Sequence, residues 1–297
     1  MDIYRLSTDI KFMNQIGMTL SVEERMKLEL SILKINENEN FDQILFWGKI
    51  QGVKADYFVA LALQYKGKFE FPSKKFYFAK SDTFDFEELP ECNLEYQQQV
   101  DTFRTLFTGD PKTVIIPLKE EEEAPPADAN QEEIQEKAPV DSDEDENPKV
   151  KPKPFTESDR LAYIIRAIEN DCSLVPVGAL KLTPSHELRY NDSFKGLSLK
   201  EVNQISLYQH FRAPQTQEKK DFISRDDAIF HFNIFDPIHN DLPKGCWSLQ
   251  TDSSKTNATL RSLTWPGFVG YHRANSRIFG YCYIGNGLKN CDLPFLL

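Results

Sequence analysis

Apolar residues recur along this chain with two different periods, and the switches between them mark out its elements. Val22, Met26, Leu30 and Leu33 recur at helical spacing behind Ser21 and Glu24, which have the spacing of a capping box. They predict a helix from about Ser21 to Ile35. The period then becomes two: Ile44, Phe46, Gly48 and Ile50 alternate with Leu45, Trp47 and Lys49. Beyond a turn near Gly52, Tyr57, Val59, Leu61 and Leu63 alternate with Phe58, Ala60 and Ala62. Both faces of this hairpin are largely apolar, which predicts cover on both sides. Lys75–Lys80 reads as a further strand, and Tyr96, Val100, Phe103 and Phe107 as a second helix stopping at Gly109 and Pro111.

Farther along, Thr156 and Asp159 cap a helix whose Leu161, Ile164, Ile165 and Ile168 fit the helical period without a miss. Leu174–Leu182 reads as a strand interrupted by Pro176, hence at a sheet edge. Ser198 and Glu201 form another capping-box pattern and predict a short helix to about Tyr208. Four strands come next, at Trp247–Thr251, Ala258–Trp265, Phe268–His272 and Ile278–Ile284, separated by Gly, Asn and Ser turns. This is an antiparallel meander ending in Gly285-Asn286-Gly287, which reads as a hairpin turn. With helices concentrated earlier, the fold class is α+β.

Charge changes the picture in one place. The 297 residues carry 46 acids against 35 bases, a formal net charge of −11. Between Lys119 and Asn147 there are 13 acids and 2 bases, so the remainder holds 33 of each and is formally neutral. No aromatic residue occurs from Lys119 to Pro154, and Lys149, Lys151 and Lys153 interleave with Pro148, Pro152 and Pro154. Such a segment cannot bury enough apolar surface to offset the ordering of its backbone. The expected organisation is an N-terminal helix-plus-hairpin half (1–118), an acidic, Pro-rich disordered linker (119–154) and a C-terminal α+β half (155–297). The two halves are expected to fold together as one domain.

The same counts exclude several functions. No long clustered excess of Lys and Arg exists to neutralise phosphates, so no nucleic-acid partner is expected. No apolar run approaches the roughly 18 to 20 residues of a membrane span, and no secretory leader pattern begins the sequence. The five dispersed cysteines suit reduced thiols. No Cys-x-x-Cys, His-Glu-x-x-His or calcium-loop spacing occurs, so neither metal nor cofactor is expected. Cys246, His272, Cys282 and Cys291 read as core thiols and an ordinary imidazole. Trp47, Trp247 and Trp265 at strand positions read as core rather than stacking platforms. Without a nucleophile elbow, Cys246 is the least implausible nucleophile of a thiol-dependent enzyme, a minor alternative alongside an intracellular scaffold.

Several blocks nevertheless resemble a known family. They are Leu45-Phe46-Trp47-Gly48-Lys49-Ile50 with Ala55-Asp56-Tyr57-Phe58, then Phe194-Lys195-Gly196-Leu197 and Pro243-Lys244-Gly245-Cys246-Trp247. Arg261–Gly267, Phe279–Gly285 and the terminal Asp292-Leu293-Pro294-Phe295-Leu296-Leu297 complete the set. In this order they resemble the radial spoke head proteins of motile cilia and flagella. The modest length and the ending resemble the head protein nine family and differ from the longer head proteins four and six. The acidic linker and Asp226–Pro237 look like insertions in that pattern. The resemblance implies a non-enzymatic subunit of the axonemal spoke head, assembled with relatives four and six and with stalk components. It would contact the central pair transiently and pass mechanical signals to the dynein arms. Phe230, Phe232, Phe235, Phe295 and Leu297 are then the candidates for burial against partner chains.

Overall fold

The computed structural model describes the chain apart from residues 14–16, 18, 39, 66–70, 93–95, 117–153, 186 and 225–232. The acidic linker and the candidates Phe230 and Phe232 therefore lie outside the described residues. In chain order the N-terminal elements are α1 (Leu6–Asp9), α2 (Val22–Asn38), β1 (Gln43–Ile50), β2 (Tyr57–Gln64), β3 (Ser73–Lys80), β4 (Glu87–Glu88), α3 (Gln97–Thr102) and β5 (Val114–Ile116). Then come β6 (Phe155–Thr156), α4 (Glu157–Cys172), β7 (Leu174–Pro176), β8 (Leu180–Leu182), β9 (Leu188–Tyr190), β10 (Tyr208–His210) and α5 (Gln217–Ile223). The meander is β11 (Trp247–Thr251), β12 (Asn257–Ser262), β13 (Phe268–Arg273) and β14 (Phe279–Gly285), and α6 (Leu293–Leu296) ends the chain. The α+β class stands.

One eight-stranded sheet runs β11-β12-β13-β14-β1-β2-β3-β4 and so joins strands from both sides of the acidic segment. Every pairing is antiparallel except β14 with β1, which is parallel. Here the backbones approach closely: a Cβ on Gly48 would sit 2.2 Å from the Tyr283 carbonyl oxygen, so only glycine fits. The predicted alternation in β2 separates two cores. Tyr57, Val59, Leu61 and Leu63 enter one cluster with α4, while Phe58, Ala60 and Ala62 enter a second with α2 and the N-terminal turns. In β1 the alternation breaks. A bulge between Phe46 and Gly48 inserts one residue, so Ile50 joins Trp47 in the first cluster. Lys49 turns instead toward α2, pairing with Glu24 and Asp56 at 2.9 Å each.

α2 begins where its capping box predicts, with Ser21 and Glu24 bonded reciprocally. Of the periodic residues that signal it, only Leu33 packs against the core. Leu28, Ile32 and Ile35 pack against the sheet, whereas Val22, Met26 and Leu30 are 62–66% exposed. The predicted helix through Phe107 stops at Thr102, because α4 holds the chain beyond it through Phe107 and its neighbours. The Arg160 guanidinium lies over the Phe107 ring and donates to the Thr105 carbonyl, while Glu157 accepts from the Thr108 and Gly109 amides. Ser198 and Glu201 make their capping bonds, yet no α-helix propagates: the Val202 carbonyl is taken by the Tyr208 hydroxyl, and Tyr208–His210 is a strand. The strand expected at Leu174–Leu182 divides at Gly178 into β7 and β8, paired with β10 and β9 in separate two-stranded sheets. No strand lies beyond Gly285 among the described residues, so Gly285-Asn286-Gly287 is not a hairpin turn; the Gly287 amide donates to the Tyr283 hydroxyl instead.

α4 fastens the first core at both ends. Thr156 and Asp159 close a capping box, and Leu161, Ile164, Ile165 and Ile168 are buried. Near its C-terminal end the buried Glu169 carboxylate accepts from Trp47 Nε1 (2.9 Å), Tyr281 Oη (2.7 Å) and Lys74 Nζ (2.5 Å). Burial pushes the Lys74 ammonium pKa down, and Glu169 opposes that push. Removing one member of such a buried pair leaves the other uncompensated. Glu169→Ala should therefore lower unfolding free energy by about 3–5 kcal/mol in chemical denaturation. A loss below about 1 kcal/mol would mean that the site is hydrated and the pair dispensable.

Candidate functional site

Of the interface candidates, Phe235 is already covered by this chain. It is 2% exposed and meets the rings of Phe71 and Phe211 at 5.9 and 6.3 Å, so it has no surface left to offer a partner. Phe295 and Leu297 are the opposite case. α6 is anchored through buried Leu293, with a Pro in its first turn, and it turns Phe295 and Leu296 outward at 88% and 71% exposure. Leu297 lies beside the turn at Gly245, whose positive φ is a glycine conformation. Leu242, 81% exposed, and Pro294 line the same cleft of about 420 Å³. Leu242, Phe295, Leu296 and Leu297 are therefore exposed apolar side chains on two adjoining segments at this end of the molecule. Sequence reasoning missed Leu242; its signal was an apolar residue set in an Asp-Leu-Pro-Lys-Gly turn.

The cleft beside this surface also holds the groups that chemistry would need. Asp241 accepts from buried His210 through Nε2 at 2.9 Å and from Trp247 Nε1 at 2.7 Å; its sequence neighbour His239 is not the partner. Cys246 lies in the same cleft wall, 4% exposed, and burial followed by the Asp241 charge raises its thiol pKa. A nucleophilic cysteine needs the reverse shift. Among the described residues no histidine hydrogen-bonds its sulfur, and no cluster of His, Cys, Asp or Glu has metal-binding geometry. No helix among them is long and apolar enough to cross a membrane.

The other chemistry-bearing residues are structural. All three indoles are buried, and each N–H ends on a carboxylate: Trp47 on Glu169, Trp247 on Asp241, Trp265 on Asp171 at 3.0 Å. Cys282 is wholly buried in the second core, its pKa pushed up to about 12 by burial, whereas Cys291 is exposed. His272 is also buried. Its Nε2 accepts from the Leu197 amide, which leaves Nδ1 to donate to the Ile278 carbonyl. These residues do not converge on one centre: Cys246 and Cys291 border the cleft, and Cys282 lies in the core on the other face of the sheet.

Residues 1–173, from the N-terminus through α4 and its glutamate anchors, match the family described as radial spokehead-like protein. The chain belongs to that family. Among relatives of this radial spokehead-like chain, the radial spoke head protein 9 homolog of Danio rerio is 34% identical over 297 residues, covering 100% of this chain and 99% of the relative. The radial spoke head protein 9 homologs of Bos taurus and Homo sapiens are each 30% identical over the full length of both chains. The exposed C-terminal surface lies beyond the family match but within the span shared with these relatives.

The buried imidazole of this spokehead-like chain carries a pH signature. Burial lowers the His272 pKa from 6.5 to about 4, and the Leu197 N–H aimed at Nε2 gives a second proton no place. Between those two values the unfolded chain holds a proton that the folded chain lacks, so stability is full above pH 6.5 and falls toward pH 4. The expected loss is roughly 3 kcal/mol. Urea titrations across that range should show the advantage of the wild type over His272→Gln shrinking as pH falls; a constant difference would mean that the imidazole titrates normally.

Proposed function

We propose that this chain is a structural, non-enzymatic subunit of the radial spoke head in the axoneme of motile cilia or flagella. The observation that carries the reading is the full-length similarity to radial spoke head protein 9 homologs at 26–34% identity. Its partners are the longer head-protein relatives four and six and the spoke stalk, with transient contact to the central pair. Its task is to complete the head and to transmit mechanical signals from the central pair to the dynein arms. The physical properties suit that task. Two cores sharing one sheet give a body that resists deformation, and an apolar C-terminal surface rimmed by charged groups is the usual chemistry of a permanent contact.

Phe295 is the side chain most exposed to a partner there, and an aromatic at the centre of such a surface typically dominates its energetics. In a motile ciliated cell the tagged protein should co-sediment with salt-extracted axonemes. Phe295→Asp should reduce that fraction at least tenfold while leaving the melting temperature unchanged, since the ring makes little contact with its own chain. Wild-type protein that stays out of the axonemal pellet would remove the spoke-head reading in favour of a scaffold elsewhere. Unaltered incorporation of Phe295→Asp would move the docking surface off the C-terminus.

A further inference from the structure

We propose that the outer face of α2 is a self-association surface, on which two copies of this chain pack α2 against α2 in antiparallel orientation about a two-fold axis. The surface is opposite in kind to an ordinary solvated helix face. Val22, Met26 and Leu30 are 64%, 62% and 66% exposed and recur every four residues, and Leu33, half-buried against the second core, ends the line. At about 100° per residue these four fall within a sector roughly 80° wide, on the side away from Leu28, Ile32 and Ile35, which face the sheet. At its end the stripe meets exposed Tyr4, which shares a groove with Ile32 and Leu33. The result is a straight apolar ridge about 16 Å long, the shape that packs against another helix.

Charge selects the occupant. The polar groups beside the stripe are Glu23, Glu24, Arg25, Lys27, Glu29, Lys34 and Glu37, which lack the Lys/Arg excess a helix needs to lie on an anionic membrane. Several are already engaged within the chain: Glu23 with Lys27 at 2.7 Å, Glu24 with Lys49, and Glu29 with the Ser7 hydroxyl at 2.7 Å. One shoulder nonetheless has a polarity, with the exposed Glu23–Lys27 pair at the start of the stripe and Lys34 at its end. A second copy in antiparallel orientation satisfies that polarity and the apolar register together. With the axis at the level of Leu28, Met26 meets Leu30 of the other copy, Val22 meets Leu33 and Glu23 meets Lys34. Each contact then occurs twice, as a closed two-fold interface requires.

One helix width over this length is smaller than the roughly 800 Å² per partner of a standard interface, so the dimer should be weak, with a dissociation constant of roughly 1–100 μM. Self-association through α2 does not depend on the family assignment, and substitutions on α2 leave the C-terminal surface intact. Sedimentation of the full chain over that concentration range should show a monomer–dimer equilibrium. Met26→Glu with Leu30→Glu should weaken it at least tenfold without lowering the melting temperature, because both side chains are solvent-exposed. Glu23→Lys should weaken it by about threefold to tenfold, and adding Lys34→Glu to it should restore the wild-type constant. A monomer at every concentration overturns the proposal, including the case in which the same stripe captures a different protein. So does a dimer indifferent to the Met26 and Leu30 changes, or a charge reversal without rescue.

Discussion

The Glu169 carboxylate, near the end of α4, takes hydrogen bonds from three strands of one sheet: Trp47 on β1, Lys74 on β3 and Tyr281 on β14. Strands β1 and β14 come from opposite sides of the acidic segment and meet in the one parallel pairing of the sheet, at a contact so close that Gly48 has no room for a side chain. A buried carboxylate is costly unless its partners are fixed, and fixing them places α4 across the seam. At the other end of the helix Glu157 repeats the device, accepting from Tyr57, Thr108 and Gly109. α4 thereby joins β1, β2, β3 and β14 into one layer. Hydrophobic burial supplies most of the stabilisation, while the two glutamates determine where the helix sits.

Function derives from what this arrangement leaves outside. Most large aromatic side chains are consumed in the two cores, and the three tryptophans that could have offered stacking surfaces are buried with their N–H groups bonded to acids. Cys246 is held as a thiol by burial and by Asp241. These groups serve as internal fasteners, and most of the exposed large apolar side chains among the described residues lie on the outer face of α2, at Tyr4 beside it, and around α6. These lie on elements packed to opposite faces of the sheet, α2 over the second core and Leu293 of α6 in the first. A body with exposed apolar surfaces on two sides and a stiff sheet between them is compatible with an assembly subunit.

Much of this was legible in the sequence wherever a regular pattern carried it. The alternation of β2, the capping box and apolar period of α4 and the strands of the meander all correspond to elements of the fold. What the pattern could not carry was anything decided by a single residue or a distant partner. The bulge at Trp47 exchanges the faces of Ile50 and Lys49 without altering composition. The Ser198 capping box forms, but the Tyr208 hydroxyl takes the Val202 carbonyl that a helix would need. α2 is apolar on two sides, and its cleaner period marks the outward one. At the candidate site, the apolar ending was readable, yet the outward direction of Phe295 and the inward one of Phe235 depend on Leu293 and on Phe71 and Phe211. The Trp–carboxylate pairs of Trp47 and Trp265 span 122 and 94 residues, a separation at which spacing holds no information.

The central physical claim is that the strands before and after the acidic segment form one body because α4 and the β14–β1 pairing fasten them, independently of the covalent link between Lys119 and Asn147. A specific protease site introduced into that segment tests this directly: the folded protein is cleaved and passed through size exclusion without denaturant. The two fragments should elute together as one particle with unshifted tryptophan fluorescence, since Trp47 remains seated on Glu169. Fragments that separate, or a red shift on cleavage, would contradict the account.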